Sequence, residues 1–378
     1  MIADARTRPI GLSGFTIAIT AARRADEFAM LLQRRGAQTV SAPAMAIIPL
    51  SDDVALRAAT DDILATVPDI VIATTGIGFR GWAEAAEEWG LAAPLMARLA
   101  TTRVISRGPK ATGALRAAGL REEWSPASES TVEVLAHLPG DLSGKRVAVQ
   151  LHGATDAWDP NPGFLAELRR RGATVIGVPV YRWTAPADQA RFDALLGEIA
   201  SARVDAAAFT SAPAVAAMLE RADELGRLDS LIAALRGPVV PYCVGPVTAR
   251  PFEDVGVASV APERMRLGAL ARLIGDDLPA RRPELSVTGH RVGVRANAIA
   301  VDGAVRDVSP SGLSLMKALA ASPGEVVSRD ELLGVLPAAG GDPHAVEVAI
   351  GRLRSALGVR ELIATVVKRG YRIAVDQH

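Results

Sequence analysis

The chain has 378 residues, 49% hydrophobic and 22% charged, with 42 Lys and Arg balanced by 42 Asp and Glu. That length implies two or three domains, and the composition implies a soluble globular protein with ample core. The single Cys243 excludes a disulfide framework and a multi-cysteine metal site; no apolar run reaches transmembrane length and residues 1–24 lack a secretory signal, so the expected setting is a reducing cytoplasm with no membrane partner.

In chain order, residues 16–20 (TIAIT) read as a buried strand and 26–35 as a helix stopped by Gly36. Residues 39–48 are extended and interrupted by Pro43. A strand at 70–73, a helix at 79–89, a strand at 103–106 and a helix from 109 to 118 follow. The pattern then repeats, with elements expected at 146–150, 162–171, 174–181, 206–209, 214–225 and 239–244. Short identical pieces mark this tandem repeat. LSG at 12–14 recurs at 142–144, RRGA at 34–37 recurs at 170–173, and GPKAT at 108–112 is echoed by GPVTA at 245–249. Continuous Val/Ile/Ala strands that do not alternate indicate parallel strands covered on both faces, so each half is a small doubly wound α/β sheet.

Ligands of such sheets sit at the carboxyl ends of strands, against helix N-termini. The repeat places Thr74, Thr75 and Gly76 at one such end and Thr210 and Ser211 at its twin. Gly108 and Thr112 mark another, and Gly245 and Thr248 its twin. Hydroxyls and bare amides suit carboxylate groups. The competing reading makes Thr74, Thr75, Thr210 and Ser211 simple helix N-caps. Residues 76–81 (GIGFRG) match G-x-G-x-x-G after a strand, but the next strand ends in Ile105-Ser106-Arg107 with no acid, so a dinucleotide site is rejected. The five His show no metal-ligand spacing, and His152, Asp156 and Asp159 share a loop that reads as solvated. No cofactor and no metal are expected. Cys243 reads as a small core residue.

The two TS/TT strand ends, the GPKAT and GPVTA pieces, VPVY at 178–181 and the repeat itself make residues 12–275 resemble uroporphyrinogen-III synthase. The resemblance implies discontinuous lobes: residues 1–44 plus 181–275 as lobe one, and 48–176 as lobe two. It implies closure of hydroxymethylbilane into a ring, achieved mainly by folding the substrate into one conformer. It assigns Tyr181 as a general acid, with Thr248, Thr210 and Ser211 nearby, and places Thr20 at the ligand cleft. A Tyr181 that merely packs in a hinge strand is the alternative. Thr20 is followed by Ala21-Ala22 rather than the family's frequent Arg, and His152-Gly153 replaces an Arg-Gly turn. Those departures favour retained ligand binding over turnover.

Residues 275–283, with Pro279 and Pro283, read as a linker, giving a domain boundary at 276–284. A small sheet is expected over 291–308 and a helix from 309. Asp342 as N-cap and Pro343 open a helix in which Val346, Ile350, Leu353 and Leu357 form one apolar stripe, stopped by Gly358. Strands at 363–367 and 371–375 flank the turn at Lys368, Arg369 and Gly370. This stretch carries Arg352, Arg354, Arg360, Lys368, Arg369 and Arg372 against Glu347 and Glu361, six minus two, a local excess of four in a neutral chain.

With SRDELL at 328–333, VEVAIGRLRSALG at 346–358 and GYRI at 370–373, residues 285–378 resemble the winged-helix effector domain of OmpR-type response regulators. The resemblance implies double-stranded DNA as partner, a recognition helix in the major groove and dimeric occupancy of paired half-sites. It assigns Arg352 and Arg354 to phosphates or base edges, Lys368 and Arg369 to the wing, and His344, Glu347 and Tyr371 to the same interface. Together the two resemblances describe a DNA-binding transcriptional regulator whose synthase-like module senses a tetrapyrrole-like or other polycarboxylate. An active synthase carrying a regulatory DNA-binding domain is the alternative.

Overall fold

The computed structural model describes residues 11–49, 54–126, 131–151, 163–336 and 344–376, with the backbone alone at 47–49 and 181–183. The loop with His152, Asp156 and Asp159, and the expected cap at Asp342-Pro343, lie outside the described residues. The chain divides into two compact units: Met45–Ala187, and the segment ending at Ala44 joined to the segment starting at Asp188.

The first unit begins with β1 (Thr16–Ile19), α1 (Ala25–Gln33) and β2 (Gln38–Ser41). All of β1 is buried, and it pairs in parallel with β2. Gly36, at φ 95°, turns the chain between α1 and β2 in the left-handed conformation that ends helices.

The second unit holds β3 (Ala46–Pro49), α2 (Val54–Ala65), β4 (Ile70–Ala73), α3 (Gly76–Glu88), α4 (Ala92–Ala100) and β5 (Arg103–Ser106). It continues with α5 (Pro109–Ala117), α6 (Thr131–His137), β6 (Arg146–Leu151), α7 (Phe164–Arg170), β7 (Thr174–Pro179) and β8 (Tyr181–Thr184). Its parallel sheet has the order β5-β4-β6-β7. Leu56, Trp82, Leu95 and Leu115 cover one face; Val134, Phe164 and Leu168 cover the other. The chain enters and leaves along β3 and β8, which pair antiparallel.

Back in the first unit come α8 (Gln189–Ala200), β9 (Ala206–Phe209), α9 (Ala212–Glu224), α10 (Leu228–Arg236), β10 (Val240–Cys243), α11 (Pro246–Asp254) and α12 (Leu267–Arg281). The sheet β10-β9-β1-β2 is also wholly parallel. Phe192, Met218, Leu235 and Phe252 pack one face, and Phe28, Leu32, Leu270 and Ile274 the other. Both sheets are therefore doubly wound, for the reason the continuous apolar strands suggest. The repeat is exchanged between sheets: β1 and β2 of copy one lie with β9 and β10 of copy two, and β4 and β5 with β6 and β7.

Two sequence expectations need correction. Residues 276–281 are not linker but the second half of α12, in which Leu270, Ala271, Ile274 and Leu278 are fully buried. A proline inside a helix costs about 3 kcal/mol. Burying each large side chain returns about 1.5–3 kcal/mol, so packing outweighs Pro279. Asp277 ties the helix down by accepting from Tyr242 Oη at 2.7 Å. The repeat also hid α2, α4, α6, α8 and α10 between the expected elements. The nine-residue α4 buries only Leu95 and Leu99, too few to mark a helical period.

The C-terminal part of this unit opens with an antiparallel sheet, β11 (Leu285–Val287), β12 (His290–Val294), β13 (Ile299–Val301) and β14 (Ala304–Arg306). Then come α13 (Pro310–Ala321), α14 (Arg329–Gly334), α15 (His344–Leu357), β15 (Ile363–Val366) and β16 (Gly370–Ile373). Ser309 caps α13, and Ser328 and Glu331 form a complete capping box on α14. Val346, Ile350, Leu353 and Leu357 of α15 meet Leu315, Met316, Leu319, Ile363 and Ile373 in one core. This is a winged helix.

Candidate functional site

Burial of the apolar stripe of α15 determines what the helix shows to solvent. His344, Glu347, Val348, Arg352 and Ser355 are exposed, and their spacing keeps them on the opposite face. Arg352 has no hydrogen-bond or ion-pair partner among the described residues. Glu347 lies 3.3 Å from His344 Nδ1 and 3.4 Å from Arg329 Nη2. Arg329, at the start of α14, was not singled out from the sequence. Only the fold brings it beside α15.

The hairpin is built into the domain on both sides. β15 and β16 pair from Ile363↔Ile373 to Val366↔Gly370. Tyr371 and Val327 exchange both backbone hydrogen bonds, at 2.9 and 3.0 Å, adding a third rung. Val367, Lys368 and Arg369 form the turn, with Lys368 in the left-handed region at φ 61°. Lys368, Arg369 and Arg372 are exposed and carry no side-chain partner among the described residues. Two expected elements of a DNA face are thus presented to solvent: the polar helix stripe with Arg352, and the two cations of the turn, Lys368 and Arg369.

Two residues expected at that face are used elsewhere. Tyr371 is 4% exposed, inside the core, so its ring does not reach outward. Arg354 turns back onto the hairpin: Nη2 and Nε donate to the Ile363 carbonyl at 2.6 and 3.1 Å, and Nη2 also reaches Thr365 Oγ1 at 2.9 Å. Its guanidinium lies 5.8 Å from the Tyr371 ring. A long cation midway between apolar and polar faces finds the nearest unpaired carbonyl, and helical spacing alone does not show that carbonyl.

At the strand ends of Met45–Ala187, Thr74 is 3% exposed. Its N–H donates to Gln150 Oε1 and its hydroxyl to the Gln150 carbonyl. Thr75 is an N-cap, accepting from Gly78 N at 3.1 Å. Gly76 has a packing role: a Cβ there would stand 2.2 Å from the Lys110 carbonyl oxygen, where α3 meets α5. The glycine serves helix contact, not a dinucleotide. Gly108 caps α5, and Thr112 Oγ1 shares a 2.7 Å hydrogen bond with Ser106 Oγ. Gln150, buried and with its Nε2 lacking a partner, gave no sequence signal.

At the matching ends in the other unit, Thr20 is fully buried, its hydroxyl 3.4 Å from the Ala208 carbonyl. Thr210 follows β9, and Ser211 is the N-cap of α9 without a side-chain bond. Gly245 precedes α11, and Thr248 is 5% exposed in its first turn. Exposed Arg23 follows β1, and exposed Arg264 and Arg266 follow Val260, which bridges Tyr242 in parallel. None of the three side chains has a partner among the described residues. Cys243 is buried, and burial pushes its thiol up to about 12, as suits a core residue. Tyr181 opens β8 opposite Pro49, and its side chain lies outside the described residues. Among the described residues no group of three His, Cys, Asp or Glu fits a metal, and no helix is long and apolar enough to cross a membrane.

Comparison with known proteins matches residues 26–272 to a family described as uroporphyrinogen-III synthase HemD. Residues 303–373 match one described as transcriptional regulatory protein, C terminal. A Bacillus subtilis protein described as "Uncharacterized protein YjjA" is 29% identical over 265 residues, covering 69% of this chain and 94% of that one. The crystal structure of a mutant uroporphyrinogen III synthase from Thermus thermophilus is 28% identical, covers 68% of this chain and 96% of its own, and has a TM-score of 0.57. The Klebsiella pneumoniae RstA DNA-binding domain, solved in complex with the RstA box, is 26% identical over 24% of this chain and 96% of its own, with a TM-score of 0.21.

Proposed function

We infer that this chain, which belongs to the uroporphyrinogen-III synthase family through residues 26–272 and carries a transcriptional-regulator C-terminal domain over 303–373, is a DNA-binding regulator. Its synthase-like lobes sense a polycarboxylate of the tetrapyrrole class. The observation that carries the DNA reading is the set Arg352, Lys368, Arg369 and Arg372 on α15 and the wing, unpaired among the described residues. Cations without internal partners are free to replace condensed counterions on a phosphate backbone. His344, Glu347 and Val348 take positions from which base edges are read. Two copies on half-sites about one DNA turn apart complete the assembly.

Support for the ligand reading comes from the strand ends. The hydroxyls of Thr20, Thr74, Thr75 and Thr112 are engaged inside the protein. Recognition of carboxylates then falls, in the unit Met45–Ala187, to the helix N-termini at Gly76 and Gly108 and, separately in the other unit, to Arg23, Arg264 and Arg266 and the helix N-termini at Ser211 and Gly245. A ligand preferring the DNA-competent conformation of the chain shifts the population towards it. Family membership favours a second reading, an active synthase in which Tyr181 is the general acid and Thr248 assists. Hydroxymethylbilane incubated with the purified chain separates the two: isomer III above the spontaneous background supports the synthase. Isomer I alone, with salt-sensitive DNA affinity altered by an added porphyrinogen, supports the sensor. DNA affinity that ignores both salt and porphyrinogen removes the regulator reading.

A further inference from the structure

Asp205 sits just before β9 and is 2% exposed. Its two carboxylate oxygens serve different parts of the chain. Oδ2 accepts from Thr16 N at 2.9 Å, at the start of β1 in the parallel sheet. Oδ1 accepts from Ala296 N at 2.8 Å, in the turn between β12 and β13 of the winged helix. Around this acid the two folds interlock. Asn297 Nδ2 donates to the Arg203 carbonyl at 2.5 Å. Arg295, 3% exposed, lies 4.1 Å from the Phe15 ring and donates to the Arg282 carbonyl at 2.8 Å. Lys317 of α13 closes the turn through the Ala296 carbonyl at 2.6 Å. Gly14 lies where a Cβ would already touch Val305 and Arg295.

We propose that Asp205 is an interdomain latch that fixes the winged helix to the β10-β9-β1-β2 lobe, so that the two form one rigid body. A buried carboxylate is costly unless hydrogen-bonded, and here each oxygen is satisfied by a different domain, so neither domain alone completes the site. Arg282, Arg295 and Lys317 are the cations that face it. The latch residues lie on the β12–β13 turn, β14 and α13, and none is on α15 or the wing. The held domain therefore keeps its polar helix stripe exposed. Asp205 also directly precedes β9, beyond which lies Thr210, five residues and roughly 17 Å away at the usual strand rise. A rearrangement at Thr210 and Ser211 reaches the DNA-binding domain through one fully buried strand. That last step rests on the function proposed above; the rigidity does not.

The test is a distance between spin labels in the full chain, without DNA or ligand. Asp223→Cys marks the lobe and Glu325→Cys the winged helix; both sites are exposed, whereas native Cys243 is buried and resists labelling. The otherwise unaltered protein should give one narrow distance peak. Asp205→Ala should lose it. Because that change also strips an acceptor from Thr16, Asn297→Asp provides a variant confined to the turn tip, setting a carboxylate against the Arg203 carbonyl, and it too should broaden the peak. A broad distribution in the starting protein overturns the latch. So does a peak that survives both variants, or survives Asn297→Asp when Asp205→Ala does not fold.

Discussion

Gln150 and Thr74 hold each other twice. The Thr74 N–H donates to Gln150 Oε1 at 3.1 Å, and the Thr74 hydroxyl donates to the Gln150 carbonyl at 3.0 Å. The same Oε1 lies 3.5 Å from Thr75 N. One side chain thus sets the strand end from which α3 departs. Gln150→Leu would leave the Thr74 amide buried without an acceptor, at about 1–3 kcal/mol. Denaturant unfolding should show that loss, and an unchanged midpoint would mean the amides find other partners.

The two arginines of α15, Arg352 and Arg354, should separate cleanly. Arg354→Ala removes a guanidinium bound to the Ile363 carbonyl and should cost about 1.5–3 kcal/mol of stability, as hydrogen bonds to charged groups do. Arg352→Ala removes no hydrogen bond or ion pair among the described residues. It should leave the melting temperature unchanged and lower DNA affinity tenfold or more, within the roughly 1–3 kcal/mol range of a side chain at a base edge. Thermal melts and fluorescence anisotropy on the same two proteins decide it. Reversed behaviour would move the DNA face away from this stripe.

Replacing Lys368 and Arg369 together with Ala removes two cations from the turn. The slope of log affinity against log salt should shallow by about 1.8, at roughly 0.9 per phosphate contact. The loss should be similar for unrelated sequences, because phosphate contacts carry no base information. Titrations at several salt concentrations on two different duplexes provide the check.

Gly370 has φ +144°, and a Cβ on it would stand 2.0 Å from the Val327 carbonyl oxygen. That oxygen is the acceptor for Tyr371 N–H, so the clash falls on the rung tying the hairpin to the domain. Gly370→Ala should destabilise the winged helix by about 1–3 kcal/mol, the usual range for overpacking. Hydrogen exchange of the Tyr371 amide should accelerate. Continued protection there would contradict the close approach.

Glu167 lies between Arg170 and Arg171, whose hydrogen bonds hold its carboxyl down to about 2. A folded value below the unfolded one stabilises the protein above the ordinary glutamate range, and the benefit is lost as the pH falls towards 2. Glu167→Gln should therefore melt earlier near neutrality. Its melting curve should converge on the parent's in acid, and a gap independent of pH would show that the ion pairs contribute nothing.

The apolar stripe of α15 and the hairpin after it were legible because each follows a local period. Val346, Ile350, Leu353 and Leu357 are spaced for a helix and are all buried. The strand-end placement of Thr74, Thr75, Thr210 and Ser211 was legible from the repeat. What those hydroxyls do was not, since the partner of Thr74 is Gln150, 76 positions away. The internal contacts of Tyr371 and Arg354 are not legible for one reason: a basic or aromatic residue beside a turn looks the same whether it faces solvent or a carbonyl nine positions off. Asp205 carried no signal, because its two amides come from 189 positions upstream and 91 downstream.

The exchange of repeat halves has a consequence for vectorial synthesis on the ribosome. Asp205, which caps the start of β1, is made 189 residues after Thr16. At roughly 5–20 residues per second that is a wait of about 10–40 s. During it the contiguous stretch Met45–Ala187 can complete its own sheet, while the apolar strand Thr16–Ile19 still lacks β9 on one side. Codon-level pausing near residue 187 would lengthen the exposure of that strand, and chaperone capture of nascent chains should peak there.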